Sequence, residues 1–396
     1  MPLKILHIDD LCTGCGACAS VCPKDALSMQ ENKLGFYIPI LDKDKCINCH
    51  LCEKTCHAIN MKMPESPSLD FHPSMVKARN RDIVMKSSSG GVFSLLANWA
   101  LSIGGVVYGA AYNYENQRLE HMSTDECNLN NLRKSKYIES YTGKLFSKVD
   151  SKLKDNRIVV FVGTPCQIEG LIRFLEVKHT DTTHLLLVRF VCHGIPSNSF
   201  FRQYKEYEEK KHHSRIVDFD FRPKFDGWGA PTWYVKFNSG REIKDLSYYY
   251  YYYRAFYDNI SLRKSCYLCK RVFDNRADLT IADFWGLKKL KPESNEREGV
   301  SLVLTHSGKG AKVLEAIKDD CIMEEIPISA MEYIFTEAIL HKKYREAAYN
   351  YQQDVLNNDG NYMPPTIKKY RNAIIKLKVK NYIYKRIKPI IRWVKR

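Results

Sequence analysis

Acidic residues are missing from the end of this chain. Asn361 to Arg396 holds twelve Lys/Arg and no Asp or Glu. The first 64 residues carry seven Lys against seven Asp/Glu, and the whole chain is +16, so the middle holds only +4. The basicity therefore belongs to the tail, which argues against nucleic acid as a partner, since that would want a basic face on the folded body. A signal peptide's apolar core is also lacking: MPLKILHIDDLC has Asp9 and Asp10 where one would lie, so a cytoplasmic chain with reduced thiols is expected. Fourteen cysteines in 396 residues are too few for a disulfide scaffold. Reduced and clustered, they should hold metal or carry out redox work.

Charge is absent again from Ser87 to Tyr114, a stretch long enough to cross a bilayer. Val92, Leu95, Leu96, Trp99 and Ile103 fall on one helical face, however, and Ser94, Asn98 and Ser102 on another. That spacing predicts an amphipathic helix on a core, ended by Gly104-Gly105 and followed by a strand over Val106–Tyr112.

Strands alternate with helices through the rest. RIVVFVG (Arg157–Gly163) and His184–Val191 read as buried strands, and Gln167–Glu176 as the helix between them. Further strands are expected at Arg118–Ser123, Ile216–Phe221, Thr232–Phe237, Leu279–Phe284 and Val300–Thr305, with helices at Gly310–Lys318 and Ala330–Gln352. The predicted fold is a mixed α/β catalytic body behind an α+β dicluster ferredoxin domain of the bacterial type. The expected divisions are a ferredoxin domain at 1–64, a linker at 65–74, body segments at 75–155 and 156–360, and a basic amphipathic tail at 361–396.

Two runs carry the strongest signal. Cys12-x2-Cys15-x2-Cys18-x3-Cys22-Pro23 is echoed by Cys46-x2-Cys49-x2-Cys52-x3-Cys56. This is the two-cluster ferredoxin pattern, in which each run's fourth cysteine ligates the other cluster. One 4Fe-4S cluster should use Cys12, Cys15, Cys18 and Cys56, the other Cys46, Cys49, Cys52 and Cys22. A pair of zinc sites is the alternative, and the doubled spacing speaks against it. His57 stands where the first run has Pro23, which is not a ligand position. Gly14 and Gly16 would let backbone amides approach the sulfides.

Six cysteines remain. Cys266 and Cys269 form a chelating pair, while Cys166 and Cys192 each follow the carboxyl end of a buried strand. Ligands gather at such ends in α/β sheets. The four could meet around a third cluster, or they could be buried small side chains beside a zinc pair. Cys127 and Cys321 fit no pattern.

Five motifs stand in order: SSSGGVFS (Ser87–Ser94), VGTPCQIEGL (Val162–Leu171), VCHGIPS (Val191–Ser197), SCYLCKR (Ser265–Arg271) and ADLTIADFWG (Ala277–Gly286). Together they resemble the coenzyme F420 hydrogenase/dehydrogenase beta-subunit family over roughly residues 75–310. The resemblance implies FAD and iron–sulfur clusters, with Cys166, Cys192, Cys266 and Cys269 holding a third cluster. The family's founding members reduce or oxidise a deazaflavin. Others act on chlorophyll derivatives, accompany glutamate synthase, or stand near cell-surface polysaccharide functions, so the acceptor stays open.

Clusters deliver single electrons and organic acceptors take two, so a flavin between them is chemically coherent. Ser88, Ser89, Gly90 and Gly91 open a helix whose amides suit a flavin phosphate; a plain helix cap is the bland reading. Gly163, Thr164, Pro165 and Gln167 form a second candidate flavin loop. Neither has the pattern of a Rossmann glycine turn or a P-loop. His193 is the one candidate catalytic residue, as a proton donor, against a structural role. Asp283 would order the cluster loop or pair with Arg276. Tyr248 to Tyr253 point all round a helix, so most should be core or domain-contact residues. The expected function is an FAD and iron–sulfur oxidoreductase, with a ferredoxin-like donor and an organic acceptor; the alternative is a non-catalytic electron-transfer subunit. The tail's apolar stripe among basic residues suits an anionic membrane surface or a protein partner.

Overall fold

A computed structural model of the chain describes residues 3–8, 10–60, 70–269, 276–294, 296–331 and 345–394. Its strands among those residues are β1 Leu27–Glu31, β2 Tyr37–Leu41, β3 His72–Ala78, β4 Val106–Asn113, β5 Arg118–Ser123, β6 Val159–Gly163, β7 Leu185–Phe190, β8 Ile216–Asp220, β9 Thr232–Phe237, β10 Glu242–Leu246, β11 Leu279–Asp283, β12 Ser301–Thr305 and β13 Cys321–Glu325.

Eight of them form one sheet in the order β13-β3-β12-β11-β7-β6-β4-β5. The middle strands β11, β7, β6 and β4 are parallel, and the outer pairings are antiparallel. Every residue of β6 is buried, as are five of six in β7. A parallel strand covered on both faces has no solvent side to make polar, hence their unbroken apolar runs. The carboxyl ends of β6, β7 and β11 place Gly163, Val191–His193 and Asp283–Trp285 along one edge. β3 ends at the same edge, where the Ala78 amide donates to the Gly90 carbonyl at 2.8 Å.

The uncharged stretch folds as expected into a helix, Val92–Ser102, and β4. Its polar face differs from expectation, because Ser94 is fully buried and hydrogen-bonded to Ser87. Among the described residues no helix is long and apolar enough to cross a membrane.

A second sheet, β10-β9-β8, packs with the helices Asn198–His212 and Tyr251–Tyr257 around an aromatic core. Trp233, Phe200, Tyr204, Tyr252 and Tyr253 are all fully buried there, so much of the tyrosine run is indeed core.

Three expected boundaries change. The linker was expected to reach residue 74, but His72–Ser74 already belong to β3, which pairs with β12 and β13. The 155/156 division falls inside the large sheet, because β4 pairs in parallel with β6 across it. The tail is not a free appendage either: the helix Met363–Val394 buries Met363, Tyr370 and Ile374 in the aromatic core. Of the helix expected at Ala330–Gln352, residues 332–344 lie outside the described residues; Arg345–Leu356 is helical, and Ile328–Met331 is a 3-10 turn.

The N-terminal segment docks tightly on this body. The Tyr362 hydroxyl donates to the Leu34 carbonyl at 2.8 Å, and Arg202 pairs with Glu31 at 2.8 Å. A Cβ on Gly35 would come within 2.1 Å of Ser199, and one on Gly360 within 2.4 Å of the Lys33 carbonyl.

Candidate iron–sulfur centres

The two runs fold as a pseudo-repeat. In each, the residues flanking the second cysteine sit in the left-handed region: Gly14 (φ 69) and Gly16 (φ 78) in the first, Asn48 (φ 51) and His50 (φ 57) in the second. Each run then enters a five-residue helix, Ala17–Val21 and Leu51–Thr55, that carries the third cysteine. The chain thus doubles back around its thiols.

Cys18 lies within electrostatic reach of Cys15, Cys12 and Cys56, and Cys15 of Cys56 and Cys12. The first expected ligand set is therefore brought together, remote Cys56 included. Cys22, Cys46, Cys49 and Cys52 line one shallow pocket with Leu27, Leu41 and Leu51. The Ala26 amide donates to the Cys22 sulfur at 3.3 Å. Among the described residues no three His, Cys, Asp or Glu groups are arranged to share a single ion. The donor set, eight thiols in two sets of four, fits iron–sulfur clusters.

Cys166, Cys192, Cys266 and Cys269 also meet. Cys266 is within electrostatic reach of the other three, and Cys192 of Cys166 and Cys269. Cys166 is the second residue of the helix Pro165–Lys178. Cys192 follows β7, and its sulfur accepts from the Gly194 amide at 3.4 Å. Gly194 (φ 112) turns the chain back against Leu262, where a Cβ would lie 2.7 Å from Leu262 Cδ1. Burial pushes the Cys15 and Cys192 thiols up to about 12, and those of Cys18 and Cys266 well above their usual value. Such thiols are neutral at pH 7 unless a cation joins them; iron would supply that charge.

The two sets touch through one helix. A Cβ on Gly170 would come 2.8 Å from Cys15 Sγ, so the Cys15 sulfur rests on the backbone of the Cys166 helix. Gly170 is four residues, about one turn, beyond Cys166, and Cys15 senses Cys166 electrostatically.

The Cys166 loop has a support that sequence reasoning missed. Thr164 caps the helix reciprocally with Gln167, and its hydroxyl lies 3.1 Å from the Cys166 sulfur. Gln167 Nε2 donates to Ser140 Oγ at 2.9 Å. Ser140 in turn lies 2.8 Å from His121 Nδ1, and His121 Nε2 is 2.9 Å from the Val162 carbonyl. The chain is consistent with a neutral His121 protonated on Nε2, and burial lowers its pKa to about 4. Gly163, Thr164, Pro165 and Gln167, expected near flavin, are thus tied first to Cys166. Nothing in the local sequence around His121 or Ser140 signals this; only the β4–β5 pairing and the fold bring them there.

Ser88–Gly91 lies at the far side of the same sheet edge. Ser88 Oγ accepts from the Ser135 amide at 2.7 Å, Ser89 Oγ donates to the Val300 carbonyl at 2.7 Å, and the Gly90 amide donates to Ser301 Oγ at 2.9 Å. A Cβ on Gly90 would strike the Val76 carbonyl at 2.3 Å. Much of this loop therefore anchors to β3 and β12, which leaves the Gly91 turn (φ 99), without a side-chain cap, as its helix-opening face. Lys224 Nζ donates to the carbonyls of Val84, Ser89 and Glu298 at 2.6–2.7 Å and pins the back of the loop, where burial lowers its pKa to about 7. Asp283 does not pair with Arg276. It takes Arg222 and Trp228 Nε1, whereas Arg276 pairs with Glu169 and Glu176. Trp228 stacks on Trp285 at 4.2 Å. His193 packs edge-on against Phe256 at 5.2 Å. Buried His57 meets Thr13 Oγ1 at 3.0 Å.

Residues 156–330 match the family defined by the C terminus of the coenzyme F420 hydrogenase/dehydrogenase beta subunit, and residues 11–59 match the 4Fe-4S dicluster domain. One of the subunits of the H(2):CoB-CoM heterodisulfide,ferredoxin reductase of Methanothermobacter thermautotrophicus is 37% identical over 78 residues, 16% of this chain and 12% of that protein. The chain thus spans about an eighth of that relative. An uncharacterized ferredoxin of Methanocaldococcus jannaschii is 33% identical over 72 residues, 18% of this chain and 92% of that one. A structure of the F420-reducing NiFe hydrogenase complex from Methanosarcina barkeri is similar at 14% identity and a TM-score of 0.48, covering 74% of this chain and 95% of that one. The chain therefore joins a 4Fe-4S dicluster ferredoxin segment to the C-terminal domain of the coenzyme F420 hydrogenase/dehydrogenase beta-subunit family.

Proposed function

We propose that the protein is an FAD- and iron–sulfur-dependent oxidoreductase that joins a one-electron donor to an organic two-electron acceptor. Cys49 is exposed while Cys12 and Cys52 are buried, so a ferredoxin-like donor would meet the second run first. Cys46, Cys49, Cys52 and Cys22 would hold one cluster there, and Cys12, Cys15, Cys18 and Cys56 the next. Cys166, Cys192, Cys266 and Cys269 would hold a third. The observation that carries the reading is the Cys15 sulfur seated on Gly170, one helical turn from Cys166. A ferredoxin segment so placed is built to pass electrons into the body. FAD, when bound, would convert single electrons to pairs. Ser88, Ser89, Gly90 and Gly91 would orient its phosphate, with Lys224 behind them, and the Gly163–Gln167 loop would border its other side. His193 would hold a proton beside it. The acceptor, a deazaflavin or a polysaccharide-pathway compound, would lie at the carboxyl edge near Trp228 and Trp285.

Anaerobically purified protein should then hold about twelve irons, four per cluster, and show flavin absorption. A Cys266→Ser/Cys269→Ser variant should lose about a third of the iron. Iron near eight with and without those cysteines would remove the third cluster. Flavin absent after reconstitution would leave a non-catalytic electron-transfer subunit.

The last helix suggests where the protein works. Past the buried Ile374, Ile375, Val379 and Ile383 are each about half exposed, at helical spacing among lysines. This stripe suits the anionic inner face of a membrane, to which a cytoplasmic protein would bind peripherally. Truncation after Ile374, which spares the core residues, should abolish co-sedimentation with anionic vesicles. Equal pelleting of both forms would instead assign the stripe to a protein partner.

A further inference from the structure

Arg263 is a fully buried arginine wedged between the N-terminal segment and the body. Its Nη1 donates to the Cys12 carbonyl at 2.9 Å, and its Nη2 to the Tyr37 carbonyl at 2.6 Å and to Glu139 Oε1 at 2.5 Å. Glu139 Oε2 accepts from the Tyr37 amide at 3.2 Å. Both side chains are under 5% exposed. The same arginine lies within electrostatic reach of Cys12 on one side and Cys266 on the other. The Cys266 amide also donates to the Arg263 carbonyl at 2.9 Å, which fixes the chelating turn to it. Gly14 makes room for the pair, since a Cβ there would lie 2.4 Å from Glu139 Oε1.

Burying a guanidinium is costly, and a surface salt bridge would have held the domains at less cost. Its position explains its presence. A reduced cluster is one charge more negative than an oxidised one, so a nearby fixed cation favours reduction, and most strongly where water is excluded. We propose that Arg263 is a positioning residue for electron transfer between the first cysteine run and the body's four-cysteine set, clamping Cys12 and Cys266 in register and holding a positive charge between them, with Glu139 setting how much of that charge is felt. The inference rests on the proposed third cluster. In the step concerned, one electron leaves the group held by Cys12 and one arrives at the group held by Cys266, and no proton need move.

The test is an EPR-monitored potentiometric titration of the full chain, purified anaerobically, with iron counted in each sample. Arg263→Met should lower the midpoint potential of the signals assigned to the two flanking sets, and Glu139→Gln should raise it. Each shift should be on the order of tenfold in the reduction equilibrium, ~59 mV for one electron. Damage to packing alone would move both variants the same way. Arg263→Lys, which keeps the charge and loses the fork, should hold its iron and potential but slow reduction of the third signal by stopped flow about tenfold. Unmoved potentials with full iron, shifts of one sign in both variants, or a lysine variant as low in potential as the methionine one would each overturn the proposal. An unmodified chain with only eight irons would instead overturn the third cluster, and the relay with it.

Discussion

The two cysteine runs have one spacing and one backbone, yet different residues at the same left-handed positions. The first uses Gly14 and Gly16, the second Asn48 and His50. Left-handed backbone costs a residue with a Cβ about 1–2 kcal/mol, least for Asn. That alone would favour glycine in both runs. The difference is what lies outside them. Gly14 faces Glu139 and Arg263, and Gly16 faces Thr142 and Gly143, each with an atom under 3 Å from where a Cβ would sit. Asn48 and His50 line the open side, where His50 can reach Glu53 at 2.8 Å. Glycine in the first run thus serves docking on the body as well as turning round a cluster; the second run tolerates side chains because none of the described residues covers it so closely.

That contrast can be broken. Gly14→Ala should cost about 3–5 kcal/mol, combining strain with overpacking against the buried ion pair. Anaerobic urea titration should show it, and Asn48→Ala should cost only about 1 kcal/mol. Equal losses would mean that turn geometry alone decides both positions.

Acid should act on the buried His121 beside the Cys166 loop. His121 titrates near 4 in the fold and near 6.5 when unfolded, because burial disfavours its cation. The stability it contributes is complete above pH 6.5 and is lost as pH falls toward 4, about 3 kcal/mol in all. Replacing it by Gln should flatten the melting temperature between pH 7 and 4.5. An unchanged pH slope would exclude His121 as the source.

Gly170→Ala sharpens the contrast from the body's side. Its Cβ would press on Cys15, and a cost of about 2 kcal/mol is expected. Reduction of the proposed third cluster should slow while the second run's EPR signal stays as it was. The smallest effect is expected for Asn48→Gly, within a few tenths of a kcal/mol, since relief of strain and added chain entropy oppose each other.

Local spacing was enough to group the N-terminal cysteines into two sets. Two identical spacings around small turns prescribe their own geometry, so both N-terminal sets were legible, as were β6, β7 and the helix after Thr164, whose periodicity and capping are local. Meeting of Cys166, Cys192, Cys266 and Cys269 was suggested by strand ends but needed the parallel order of β6, β7 and β11 to bring it about. Only tertiary structure decided the rest. Glu139 and Arg263 are 124 residues apart and join no motif, yet meet at 2.5 Å because the ferredoxin segment docks there. His121, Ser140 and Gln167 form one chain only because β5, held one strand from β6 by β4, brings His121 to the Val162 carbonyl and Ser140 to Gln167. The tail's apolar stripe reads as fitting a membrane surface or a protein partner, but its Tyr370 and Ile374 are buried in the chain's own aromatic core, a partner face that no local pattern records. Local spacing fixes what a thiol can ligate; long-range packing fixes which neighbour receives its electron.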